Sequence, residues 1–236
     1  MTQINYATAA KLACSDVYRA DQLGDGIRVG NDTLIMEVHN KVLYVAICGT
    51  SAGDLDDWRS NVDITHSRGM AKGLYVDAAG ILAVVNHTLF SVKKTLQCER
   101  IVWCGHSRGG ALALTIYWLR TATNHQVPVD VVTFGAPRPF YKDNIRNAVA
   151  RHATCFEHKR DPAPHWPPHF STNKKSIKIG LWFNIKHFNW LDIFMPWRFI
   201  AGYFKSGHAA LGYELAARKY QAEQERALTK NNRNID

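Results

Sequence analysis

Disulfides and cysteine-held metals find little material in this chain. Its five cysteines, Cys14, Cys48, Cys98, Cys104 and Cys155, are odd in number and include no Cys-x-x-Cys pair. That argues against a disulfide framework and a cysteine metal site, and for a reducing compartment. Cys48 and Cys104 sit in apolar runs, where a thiol behaves as a small hydrophobe. Met1 to Leu12 shows no basic region followed by an apolar core, so no secretory signal is expected. Internal repeats, low-complexity linkers and breaks in composition are also missing. The expectation is one domain over 1–236, with an aromatic and basic insertion at about 166–206 and a polar tail after about 228. Acidic residues are scarce beside basic ones, 20 against 29, for a net charge of +9. No nucleic-acid-binding motif accompanies that charge, so a nucleic-acid partner is not expected. At 46% hydrophobic and 21% charged residues the chain is neither disordered nor membrane-spanning in bulk. A cytoplasmic or peripheral-membrane location follows as the expectation.

What is present is an alternation of elements. Tyr6 to Arg19 spaces Ala, Leu and Val for one buried helical face. Thr33 to His39 and Val42 to Ile47 read as strands joined by a tight turn at Asn40-Lys41. A long helix over Lys72 to Lys94, a strand over Arg100 to Cys104 and a helix over Gly109 to Ala122 follow. Val129 to Phe134 reads as a strand, Phe140 to Ala150 as a helix and Ala153 to His158 as another strand. Strands separated by helices predict an α/β fold with a mostly parallel central sheet covered by helices on both faces.

Between the strand at Arg100 and the helix that follows lies Gly105-His106-Ser107-Arg108-Gly109, a Gly-x-Ser-x-Gly motif. In that context it predicts a sharp strand-to-helix turn that strains the serine backbone and exposes its hydroxyl at the sheet edge. Glycines at both flanks remove side chains that would clash in the turn. The following helix directs N–H groups and its positive dipole end at the place where an oxyanion would form. A bare motif also arises by chance in unrelated chains; the strand before it and the helix after it are what distinguish this one.

A nucleophilic serine needs a base, and the base an orienting carboxylate. In α/β-hydrolases they follow in the order Ser, Asp or Glu, His. The acids downstream of Ser107 and before the last histidine are Asp130, Asp143, Glu157, Asp161 and Asp192. Asp130 falls at the start of a strand and Asp143 near the exposed start of a helix. Asp161 comes directly after the strand Ala153 to His158, the end at which open α/β sheets place catalytic groups. His208, the last histidine, precedes a C-terminal helix. The bland reading of His208 is an unpartnered histidine at a helix N-terminus.

Five blocks between about Val42 and Tyr213 resemble the fungal-type triacylglycerol lipases, the class 3 lipases of the α/β-hydrolase superfamily. They are Ile47-Cys48-Gly49-Thr50-Ser51 with Asp57-Trp58-Arg59-Ser60-Asn61; Lys72-Gly73-Leu74-Tyr75-Val76-Asp77-Ala78; the serine motif; Thr133-Phe134-Gly135-Ala136-Pro137-Arg138; and Asp161-Pro162-Ala163-Pro164-His165-Trp166-Pro167-Pro168. The resemblance implies a Ser107, Asp161, His208 triad with an oxyanion hole from the N–H groups of Thr50 and Arg108. Cys48 departs from the family, which usually carries an arginine before the glycine, so a structural ion-pair donor is missing there. The implied activity is hydrolysis of lipid esters, by a triacylglycerol lipase or a phospholipase of the A type, with no cofactor. An esterase or acyltransferase on small esters is the enzymatic alternative. An inactive membrane-docking protein on a hydrolase scaffold is the other.

Two further segments bear on the partner. Trp166 to Lys205 carries Trp166, Trp182, Trp190 and Trp197 among six phenylalanines, with six basic residues against Asp192. Aromatic and basic residues together suit the interface of an anionic membrane; the same residues also suit a core or acyl pocket with a solvated basic face. Charges interrupt the segment too often for a transmembrane helix. Ser51 to Arg68, where the family places its lid, reads either as a mobile cover or as a fixed loop. His152, His158, His165 and His169 do not form a metal set, because Pro167-Pro168 breaks helical spacing between His165 and His169.

Overall fold

The computed structural model describes residues 2–49, 66–67, 70–96, 98–121, 127–158, 161, 163–167, 170, 176–179 and 210–233. Within them, α1 (Tyr6–Lys11) runs through a π-helical turn (Leu12–Asp16) into α2 (Val17–Leu23). Asn5 caps the start, its Oδ1 accepting the Thr8 N–H at 2.9 Å. A left-handed Gly24, at φ 75°, closes the end.

Strands β1 (Ile27–Val29), β2 (Asp32–His39) and β3 (Val42–Ile47) follow as an antiparallel meander. Asn40 and Lys41 both take positive φ, 49° and 63°. That conformation gives a two-residue hairpin a twist matching its strands. A small hairpin of β4 (His66–Ser67) and β5 (Met70–Ala71) leads into α3 (Lys72–Leu96). Then come β6 (Arg100–His106), α4 (Arg108–Thr121), β7 (Val129–Phe134), α5 (Asp143–Val149), β8 (Ala153–His158), β9 (Ser176–Ile179) and α6 (Ala210–Arg233).

The main sheet has seven strands in the order β1-β2-β3-β6-β7-β8-β9, with every pair from β3 onward parallel. Strand alternation divides the core between its faces. Leu43, Val45 and Ile47 of β3 pack with Ile101 and Trp103 of β6 under α3 and α4. Val42, Tyr44 and Ala46 pack with Val102 and Cys104 against α1, α2 and α6. β3 is buried along its whole length, as a strand covered on both faces must be. All five cysteines are buried thiols.

Several boundaries differ from the sequence expectation. The helix expected from Phe140 begins only at Asp143, because Phe140 bridges to Met70 and Pro139 accepts the Ala71 N–H at 3.1 Å. β6 runs two residues beyond Cys104, its register with β7 continuing to the His106–Phe134 pair. Helix α6 continues through the stretch expected to be a polar tail, to Arg233. Of the proposed lid segment only the two residues of β4 are described. Among the described residues no helix is long and apolar enough to cross a membrane.

Candidate active site

Ser107 occupies the single residue between β6 and α4, with φ 54°. A non-glycine residue in that region is uncommon and costs about 1–3 kcal/mol. Close contacts on each side hold it there. A Cβ on Gly105 would lie 2.3 Å from the Gly109 carbonyl carbon, and one on Gly109 would lie 2.2 Å from the Ile47 oxygen. Either would drive α4 away from β6 or from the end of β3. The Ser107 N–H donates to Phe134 O at 2.9 Å, and its own carbonyl accepts from Gly110 at 3.0 Å to start the helix. The elbow is therefore bonded to β7 as well as to its own strand. One detail departs from the sequence reading: Ser107 is buried, 4% exposed, rather than open at the sheet edge.

Arg108 follows as the first residue of α4, where backbone N–H groups lack partners within the helix. Its guanidinium reaches across two elements, pairing with Asp32 of β2 and with Asp77 of α3 at 2.5 Å. Asp32 is almost fully buried. Burial holds its carboxyl above the usual carboxylate range, with Arg108 pulling the other way. Cys48 lies within the field of this pair, and burial pushes its thiol up to about 12. Arg108→Met, which strands Asp32 as an unpaired buried charge, is expected to lower stability by about 3–5 kcal/mol. Urea unfolding checks this, and Asp32→Asn in the same background should recover most of the loss.

Asp161 is 1% exposed and lies three residues beyond the end of β8. Its Oδ1 accepts the Ala163 N–H at 2.8 Å and its Oδ2 accepts the Tyr213 hydroxyl at 2.5 Å. The Tyr213 oxygen in turn accepts the His158 N–H at 2.9 Å. Burial, then the adjacent Asp161 charge, holds the Tyr213 phenol well above its ordinary pKa, so it remains a donor. The Tyr213 ring lies 5.7 Å, centroid to centroid, from the imidazole of His106. One aromatic ring therefore connects the buried acid to the residue before Ser107.

The other acids are engaged elsewhere. Asp130 pairs with Arg100 at 2.5 Å, Glu157 with Lys178, and Asp143, 71% exposed, with Arg146 at 3.1 Å. Asp192, His208 and Thr50 lie outside the described residues. So does most of the aromatic and basic segment. Within it, Phe170 is buried with its ring 5.9 Å from that of Tyr141, Trp166 is 37% exposed, and Lys178 is committed to Glu157. Asp32, Asp77 and Tyr213 escaped the sequence reading as parts of the site. Each acts through a contact tens of residues away in sequence, and no local pattern encodes such a contact.

Compared with known families, residues 44–171 match the family described as Lipase (class 3). Several solved lipases share the fold. The triacylglyceride lipase of Rhizomucor miehei superposes with a TM-score of 0.55 at 18% identity, covering 70% of this chain and 74% of that one. A protein of Penicillium cyclopium, MDLA in a mutant form, gives 0.59 at 15% identity over 79% and 83%. A triacylglycerol lipase whose catalytic centre is described as a serine protease triad gives 0.54 at 17% identity over 70% and 72%. No curated protein matches the chain.

Proposed function

Because this chain belongs to the class 3 lipases and is an ester hydrolase of that family, we propose that it cleaves lipid esters through an acyl-enzyme formed on Ser107. The observation that carries this is the strained backbone of Ser107, φ 54°, wedged between Gly105 and Gly109 at the β6–α4 turn. Strain of that kind persists only where surrounding structure enforces it, and it collects at reactive residues. Asp161, buried and held by two donors, has the environment of a triad acid kept in one orientation. His208, five residues before Tyr213 in the chain, is the base on this reading. A solved triacylglycerol lipase with a serine protease triad supports the assignment by analogy of fold.

His208 takes the Ser107 proton as Oγ attacks the ester carbonyl, and Asp161 fixes the imidazole tautomer. The N–H groups of Thr50 and Arg108 stabilise the tetrahedral oxyanion; each such donor is worth roughly 100- to 1,000-fold in rate. Collapse expels the alcohol, protonated by His208. Water, deprotonated by the same histidine, then releases the fatty acid. The substrate is a triacylglycerol or a diacyl phospholipid, met at a surface on which residues 166–206 dock.

A panel of long-chain triacylglycerol, diacyl phospholipid vesicles and p-nitrophenyl acetate tests the substrate class. Lipid esters should be the better substrates, and turnover confined to the short soluble ester would overturn the lipid assignment. In the same assay Lys174→Gln with Lys175→Gln should weaken binding to anionic vesicles by about 1 kcal/mol per residue. Lys178 is left in place because it neutralises Glu157. Equal binding by wild type and double variant at low salt would remove the docking role.

A further inference from the structure

The two proposed oxyanion donors lie on separate pieces of chain. Arg108 belongs to the elbow after β6, whereas Thr50 follows Gly49 at the end of β3. A hole made of two N–H groups works only while those pieces keep a fixed separation. β3 and β6 are paired, but their register ends at Ile47 and Gly105. Among the described residues the ladder stops short of Gly49 and of Arg108.

One side chain from outside the sheet spans the gap. Tyr18, in α2, places its hydroxyl 2.9 Å from Nδ1 of His106, the residue before the nucleophile. Its oxygen also accepts the backbone N–H of Gly49. The Tyr18 ring meets the His106 imidazole edge-on at 5.9 Å between centroids. Gly49 is pressed into the same corner. A Cβ there would lie 2.4 Å from the Tyr18 hydroxyl, 2.6 Å from His106 O and 3.3 Å from the Ser107 Cβ. One phenol oxygen can accept from Gly49 and donate to His106 together, which satisfies both its hydrogen-bonding roles. Burial holds the phenol well above its usual pKa, so the donor stays protonated across the working pH range.

We infer that Tyr18 is a positioning residue that ties Gly49 to His106 and so sets the spacing between the two oxyanion donors. This rests on the serine-hydrolase reading above. Tyr18 touches neither the reacting oxygen nor the ester on this account; it acts through the two residues that precede Thr50 and Ser107.

Tyr18→Phe keeps the ring and removes only the oxygen. On a soluble p-nitrophenyl ester it should lower kcat about 10- to 100-fold, the effect of a misplacement near 1 Å, and leave KM within about twofold. Affinity for a trifluoromethyl ketone, which mimics the tetrahedral oxyanion, should fall in the same proportion. His106→Gln cuts the same link from its other end, and the double variant should be little worse than either single one. A Tyr18→Phe protein with wild-type kcat, or with lowered kcat but undiminished ketone affinity, overturns the inference. So does a thermal midpoint that falls while kcat, measured well below it, stays the same. If Tyr18→Phe does not fold, the same readouts on His106→Gln decide. Failure of the underlying reading looks different: wild type itself would then neither take up a fluorophosphonate nor bind the ketone.

Discussion

Ser107→Ala is expected to reduce ester hydrolysis by roughly a million-fold, to the residual rate that binding and the oxyanion donors sustain alone. The fold should survive. The elbow is held by Gly105, Gly109 and the Ser107 N–H bond to Phe134 O, none of which uses the hydroxyl. Alanine at φ 54° bears the same kind of backbone strain as serine. A circular-dichroism melt close to wild type, beside turnover at background, is the expected pair of results. Retention of most activity would contradict the assignment of the nucleophile.

Asp161→Asn is the second large effect, a loss of about 10⁴-fold in kcat, because an amide no longer holds the imidazole in its productive tautomer. Here the site adds a local cost. Two donors, the Ala163 N–H and the Tyr213 hydroxyl, point at the two carboxylate oxygens. The asparagine amide offers one acceptor and one donor, so one of those groups is left facing an N–H. An unmet buried group costs about 1–3 kcal/mol, so turnover should be compared at a temperature where both proteins are folded. Combined with Ser107→Ala, the second substitution should add almost nothing, since triad members act as a unit. Asp143→Asn and Asp130→Asn serve as controls and should leave kcat near wild type. Asp143 is an exposed partner of Arg146, and Asp130 is taken by Arg100. A large loss from Asp143→Asn or Asp192→Asn, with Asp161→Asn active, would reassign the acid.

How legible the protein was depended on the range of the interactions. Features set by neighbours in the chain were readable: the apolar run of β3, the Asn40-Lys41 turn and the strand–serine–helix sequence around Gly105 and Gly109. The helix expected from Phe140 failed at its start because Met70 and Ala71, some seventy residues earlier, hold that chain as a bridge. The short strands β1 and β9 exist by pairing with β2 and β8, and a run of three or four residues carries too little periodicity to announce itself. The same division runs through the site. Ser107 and Asp161 stand at the ends of readable strands. Tyr213, Tyr18 and Asp32 enter it only because α6, α2 and β2 are brought back onto the carboxyl ends of β6 and β8.

The central claim is that Ser107 forms a covalent bond with the acyl group. Trypsin should release Ile101 to Arg108 as one peptide, and Ser107 is its sole serine. After reaction with a fluorophosphonate to full loss of activity, mass spectrometry of the digest should show one adduct per chain, confined to that peptide. An adduct on a peptide from elsewhere in the chain, or an enzyme that goes on hydrolysing lipid esters without any adduct, would contradict the account.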